Sequence, residues 1–176
     1  MQSSDSLFCR PVRWRDAAVP LAQGMPSRAR RWIRLETSMT RALVERFGGA
    51  LRIAVRHDGR GRLNPDEARL LGTRALRGQV REVMLEVGDR RLLAARTVHV
   101  ARRLRAHAVL ATLGKRPLGE LLFAFGKPRR RRREYGQVRL GFRVGAGRRC
   151  WARRTVYVFE RQPLLVTEIF LPVMLG

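Results

Sequence analysis

Cysteine is nearly absent: Cys9 and Cys150 are the only two, and they stand far apart in the chain. That excludes a disulfide framework and a cysteine-built zinc site, both of which need clustered or multiple thiols, and it fits a reducing compartment. Lysine is just as scarce, with Lys115 and Lys127 alone, and acids number 14 against 38 basic residues. Nearly all of the net charge of +24 is therefore arginine, spread along the chain and not gathered in a tail, so the natural ligand is expected to be an anion. Long apolar runs are missing too. The amino-terminal MQSSDSLFCRPVRW lacks the apolar core of a signal peptide, and the most apolar stretch, 163–175, is interrupted by Thr167, Glu168 and Pro172 and falls short of the roughly 20 residues that span a bilayer. A cytoplasmic location with no transmembrane segment is expected. What the sequence does have is apolar content: 45% hydrophobic residues over 176 rule out a disordered polycation and suffice for one domain with one core.

Residues 1–26, punctuated by Pro11, Pro20 and Pro26, read as an irregular arm, and 27–176 as the organised domain. Pro26 precedes a first short helix, Ser38 or Thr37 caps a second, and Gly48 and Gly49 stop it. Alternation over 50–57, ending at an Asp58-Gly59 turn signal, predicts a strand, and 79–87 and 91–100 flank Gly88-Asp89 as a hairpin. Helical spacing follows over 101–114 and 117–126. Three further strands are predicted over 134–144, 151–160 and 163–171, the last two joined through Arg161-Gln162. About six strands in adjacent hairpins, with helices before and between them, imply the α+β class: a single domain with an antiparallel sheet and helices packed on one face. Between the later helices and strands, the consecutive arginines Arg129–Arg133 read as a solvated, self-repelling loop, and Gly145-Ala146-Gly147 as a turn.

Some charges violate the pattern. In the last strand Glu168 shares its face with Leu164, Val166 and Phe170, so it points into a pocket or the core. A carboxylate desolvated in this way has its pKa pushed upward, which makes it a candidate proton donor. Arg81 shares a face with Val83, Leu85 and Val87, and Arg96 lies with Leu92, Ala94 and Val98. Each buried charge needs a partner, and a small bound anion would serve the arginines. Pairing between Glu168 and an arginine inside the core explains the same pattern equally well.

At these residues the sequence resembles the bacterial chorismate pyruvate-lyases, which make 4-hydroxybenzoate for ubiquinone. The matching motifs run in order: LETSMT (35–40), VREVML (80–85), ARTV (95–98), LGKRPLGELLF (113–123), WARRT (151–155) and PLLVTEIFLP (163–172). The resemblance implies a fold, an antiparallel sheet with helices packed on it, and an activity, conversion of chorismate to 4-hydroxybenzoate and pyruvate with no cofactor and no metal. It also implies that Arg81 binds the ring carboxylate with the backbone at Met39 and Leu118, and that Glu168 contacts the oxygen that becomes the phenol. Arg81 is then substrate clamp and electrostatic stabiliser, and Glu168 the acid/base group. Arg96 and Arg154 are weaker candidates for the enolpyruvyl carboxylate, with structural pairing the better reading of both. The chain departs from the family at Ala152, Thr37 and Arg90-Arg91, where glycine, an acid and a Pro-Trp pair are usual.

Two other classes compete. A nucleic-acid-binding protein is suggested by the charge, but the sequence has no helix-turn-helix, zinc finger or RNA-binding strand motif, and its 12 aromatic residues are spread among apolar positions. An effector-binding module, or a degenerate lyase on the same fold, would bind a small anion without turnover; the module would need an output domain for which the chain leaves little room. The enzyme reading is preferred, with chorismate and 4-hydroxybenzoate as the only partners, no specific nucleic acid, and a monomer.

Overall fold

The computed structural model describes residues 7–9, 12–100, 113–124, 129–141, 147–159 and 161–176. Its strands are β1 (Phe8–Cys9), β2 (Arg15–Asp16), β3 (Leu51–Arg62), β4 (Arg77–Val87), β5 (Arg90–His99), β6 (Arg129–Leu140), β7 (Arg149–Phe159) and β8 (Gln162–Phe170). The helices are α1 (Ser27–Arg34), α2 (Met39–Phe47), α3 (Pro65–Leu70), α4 (Leu118–Ala124) and α5 (Pro172–Leu175). Every pairing is antiparallel, in the order β1-β6-β7-β8-β5-β4-β3. The short β1 and β2 lie end to end on the outer edge of β6, at Leu140 and Tyr135 respectively, so the sheet is seven strands wide. All six strands expected from the sequence are present, and the class is α+β.

Local chemistry explains the boundaries. Ser38 caps α2 by accepting the Arg41 N–H, and Gly48 ends the helix with φ at 68°. Gly88, at φ 57°, turns β4 into β5 as the hairpin signal required. Two expectations fail. Asp58-Gly59 is not a turn: a bulge at Arg56 absorbs one residue, and β3 continues to Arg62 opposite Arg77. Nor are Arg129–Arg133 a free loop. They open β6, paired to β7 from Arg129↔Val158 to Arg133↔Thr155, because a bulge and the pleat separate the guanidinium groups while Glu36 meets both Arg130 and Arg133. The helix expected over 101–114 lies almost wholly outside the described residues, as does most of Gly145–Gly147.

Period-two alternation gives the sheet two different faces. On one, α1, α2 and α5 cover Ile53, Val83, Leu85, Leu93 and Phe170 with Trp32, Ile33, Leu43 and Met174, and α4 closes over Tyr157, Leu164 and Val166. This is the expected helical face. The other carries α3, whose Ala68 and flanking Leu63 and Leu71 pack on Val80, Val98, Val156 and Leu165, and the amino-terminal arm, whose Leu7, Val12 and Trp14 pack on Met84, Ala94 and Ile169. Sequence reasoning missed α3, although Asn64-Pro65-Asp66-Glu67 supplies a cap, a first-turn proline and an acid placed to reach back; the Asn64 N–H donates to Glu67 Oε2 at 2.8 Å.

Candidate active site

Between the helical face and the α2 and α4 amino termini lies a cavity of about 650 Å3, counting the space at its mouth. Its walls are Ile53, Val83, Leu85, Leu93, Ala95, Leu122, Phe123 and Val166. Into this apolar chamber project Arg81 from β4, Arg153 from β7 and Glu168 from β8, while Met39 and Leu118 bring the first residues of α2 and α4 to its rim. All four residues singled out by the family motifs, Met39, Arg81, Leu118 and Glu168, therefore line one hollow.

Arg81 is buried, and its guanidinium is partly engaged. Nη1 donates to Asp58 Oδ2 at 2.5 Å, and Nη2 to the Gly114 carbonyl at 2.7 Å and the Arg116 carbonyl at 3.4 Å. The bulge in β3 makes the first contact possible, since it sets Asp58 opposite Arg81. Nε and one Nη1 hydrogen have no partner among the described residues, which leaves donors for a ligand oxygen. The remaining contacts tie Arg81 to the segment that leads into α4.

Glu168 is not a lone buried acid. Its carboxylate meets Arg153 in a two-point pair, Nε to Oε2 at 2.5 Å and Nη2 to Oε1 at 3.2 Å, in register across β7 and β8. Arg153 is 1% exposed and also donates Nη1 to the Trp32 and Leu35 carbonyls at 2.8 and 3.0 Å, locking the end of α1 to the sheet. Burial works against the Arg153 charge, but the attraction and hydrogen bonds of Glu168 outweigh it and hold the guanidinium above its ordinary pKa. The expectation of pairing inside the core and that of a pocket carboxylate thus hold together. Sequence reasoning missed Arg153: parity in WARRT puts Arg153 and Arg154 on opposite faces, and only the β7–β8 register sets Arg153 beside Glu168.

It also missed Tyr157, four residues along the same face of β7 and lining the cavity. Burial, then the Glu168 charge, pushes the Tyr157 phenol upward, so it stays neutral and able to donate. Arg96 and Arg154, the weaker candidates, lie on the other face. Arg96 is held by Glu67 at 2.9 Å and Glu82 at 2.7 Å, and Arg154 by Glu134 at 2.6 Å and Asp66 at 2.5 Å, its guanidinium over the Trp14 ring. The sheet separates both from the cavity. Of the departures, only Thr37 touches it. Among the described residues no group of His, Cys, Asp and Glu is arranged to hold a metal ion.

An open antiparallel sheet that encloses an apolar, arginine-bearing chamber under two helix amino termini defines the class: a single α+β domain with a candidate site on its helical face. Residues 11–175 match the chorismate lyase family model, and the chain belongs to that family. It is 41% identical over 154 residues to a protein of Methylococcus capsulatus named "Probable chorismate pyruvate-lyase", covering 82% of this chain and 95% of that one. A "Chorismate pyruvate-lyase" of Hamiltonella defensa is 31% identical over 98% of this chain and 92% of its own. Among solved structures, the "ligand-binding domain of a putative GntR-family transcriptional regulator" from Bordetella bronchiseptica shares the fold, with a TM-score of 0.51 and 16% identity over 70% of this chain and 86% of that one.

Proposed function

We propose that this protein is a chorismate pyruvate-lyase, converting chorismate to 4-hydroxybenzoate and pyruvate. The observation that carries the reading is convergence: Arg81, Glu168, Met39 and Leu118 come from four separate segments, and all line one apolar cavity in a chain of this family. In the reaction the bond between ring carbon and enolpyruvyl oxygen breaks, the neighbouring hydroxyl-bearing carbon loses its hydrogen as a proton, and the ring becomes aromatic. The departing enol takes up a proton and becomes pyruvate. Aromatisation drives the step, so the protein's task is to position charge.

Arg81 offers its free N–H groups to the ring carboxylate, and the first backbone N–H groups of α2 and α4, at Met39 and Leu118, add donors without adding side-chain charge. Glu168, held by Arg153, faces the ring hydroxyl from the opposite side as acceptor and acid/base group. The apolar walls fit the ring faces and exclude water. The protein acts as a monomer in the cytoplasm, without nucleic acid; among the described residues no helix is long and apolar enough to cross a membrane.

The direct test is incubation of the purified chain with chorismate, following 4-hydroxybenzoate and pyruvate. Equimolar products are expected, with Arg81→Ala reducing kcat/KM by about 10- to 100-fold, the worth of one charge-assisted contact. Absence of product with the unaltered protein overturns the reading, and full activity in Arg81→Ala removes Arg81 from it.

A further inference from the structure

The cations of the cavity are unequally matched. Arg81 meets Asp58 and Arg153 meets Glu168, but Arg116 lines the same chamber with no ion-pair partner among the described residues. It is also exposed, which puts it at the mouth. Its backbone is held on both sides: the Arg116 N–H donates to the Leu113 carbonyl at 2.8 Å, and its own carbonyl accepts from Arg81 Nη2 at 3.4 Å. Pro117 follows and biases residue 116 toward an extended backbone. A long, free guanidinium is thus mounted on a fixed point at the opening of a site whose interior charges are already paired. Other nearby arginines are committed, Arg133 to the Ile33 carbonyl, Glu36 and Thr155, and Arg96 and Arg154 to the far face.

Chorismate carries two carboxylates and 4-hydroxybenzoate one. The ring carboxylate is common to both and has Arg81; the enolpyruvyl carboxylate exists only in the substrate. We propose that Arg116 binds this second carboxylate, and so selects the dianionic substrate over the monoanionic aromatic product. The inference rests on the lyase reading and deepens it. Cleavage then removes Arg116's contact along with pyruvate, so the interaction favours substrate capture and does not add to product retention. Guanidinium suits the task because its planar fork matches a carboxylate and its charge does not titrate.

Two measurements on the full chain decide it. In steady-state assays Arg116→Ala is expected to lower kcat/KM for chorismate by about 10- to 100-fold, with Arg116→Lys recovering part of the loss. In calorimetry the same Ala variant should bind 4-hydroxybenzoate within about 2-fold of the unaltered protein, since the product lacks the group. The second measurement needs no turnover: the unreactive dicarboxylate 3-(carboxymethoxy)-4-hydroxybenzoate should bind the unaltered protein at least about 10-fold more tightly than 4-hydroxybenzoate, a preference that Arg116→Ala abolishes. If the unaltered protein fails to turn chorismate over, the lyase reading falls while the dicarboxylate preference still tests Arg116. If the preference is absent, or the Ala variant weakens product and dicarboxylate equally, the assignment of Arg116 is overturned.

Discussion

The Arg153–Glu168 pair couples two roles in one place, because the carboxylate we propose as the acid/base group is also the counter-charge of a fully enclosed guanidinium. Removing one member of a buried pair typically costs about 3–5 kcal/mol, whereas replacing both by apolar groups is often neutral. Glu168→Gln should therefore lose activity and, in urea unfolding, about 3 kcal/mol of stability. The double variant Arg153→Met/Glu168→Leu should regain most of that stability and still form no 4-hydroxybenzoate; activity in the double variant would make the carboxylate purely structural. Charges on apolar faces made Arg81 and Glu168 legible in the sequence. The partner of Glu168 was not, since choosing between Arg153 and Arg154 requires the register of β7 against β8. Cys150 carries a different residue-scale consequence. Burial pushes its thiol up to about 11 from 9.0, against a weaker pull from Arg148. The folded state thus holds the proton more tightly than the unfolded one, so stability is fully present below pH 9 and declines as pH rises toward 11, by about 3 kcal/mol at most. Urea titrations between pH 8 and 11 should show a shallower decline for Cys150→Ala than for the unaltered protein.

At the scale of elements, the amino-terminal arm is fastened by close approach. A side chain at Gly136 in β6 would put its Cβ 2.8 Å from the Arg13 carbonyl and 3.3 Å from the Trp14 ring, and Trp14 in turn lies under Arg154. Gly136→Ala should push the arm off the edge, at a cost of about 1–3 kcal/mol. Limited trypsin digestion should then cut at Arg13 or Arg15 well before the unaltered protein is cut there; equal cleavage rates would mean the arm is held elsewhere. Elements whose pattern is local were readable without coordinates. Strands β4 and β5 follow from alternation and a glycine turn, β8 from its own alternation, and α2 from its serine cap. Strand β3 was cut short because a bulge looks like a turn when only composition is visible, and β6 began late because arginine repulsion was weighed without Glu36, which comes from the distant α1–α2 linker. Both errors have one cause: long-range pairing overrode a local signal.

For the molecule as a whole, a net charge of +24 acts in two opposed ways, repelling itself and attracting a dianion. Buried carboxylates do much of the compensation: Glu67, Glu82, Glu134 and Glu168 are each paired with a buried arginine, so the sheet is pinned on both faces by pairs that salt reaches poorly. The surplus sits on exposed arginines such as Arg28, Arg31 and Arg34 of α1 and Arg60 and Arg62 of β3, where screening is effective. Raising sodium chloride from 0.01 to 0.15 M shortens the Debye length from about 30 to about 8 Å. Surface repulsion should weaken more than the buried pairs do, so Tm should rise over that range. Capture of chorismate should weaken, so kcat/KM should fall over the same range while kcat holds. Scanning calorimetry and initial rates in one salt series would measure both. A Tm that falls with salt would mean that exposed ion pairs, and not the buried ones, hold the fold against its own charge.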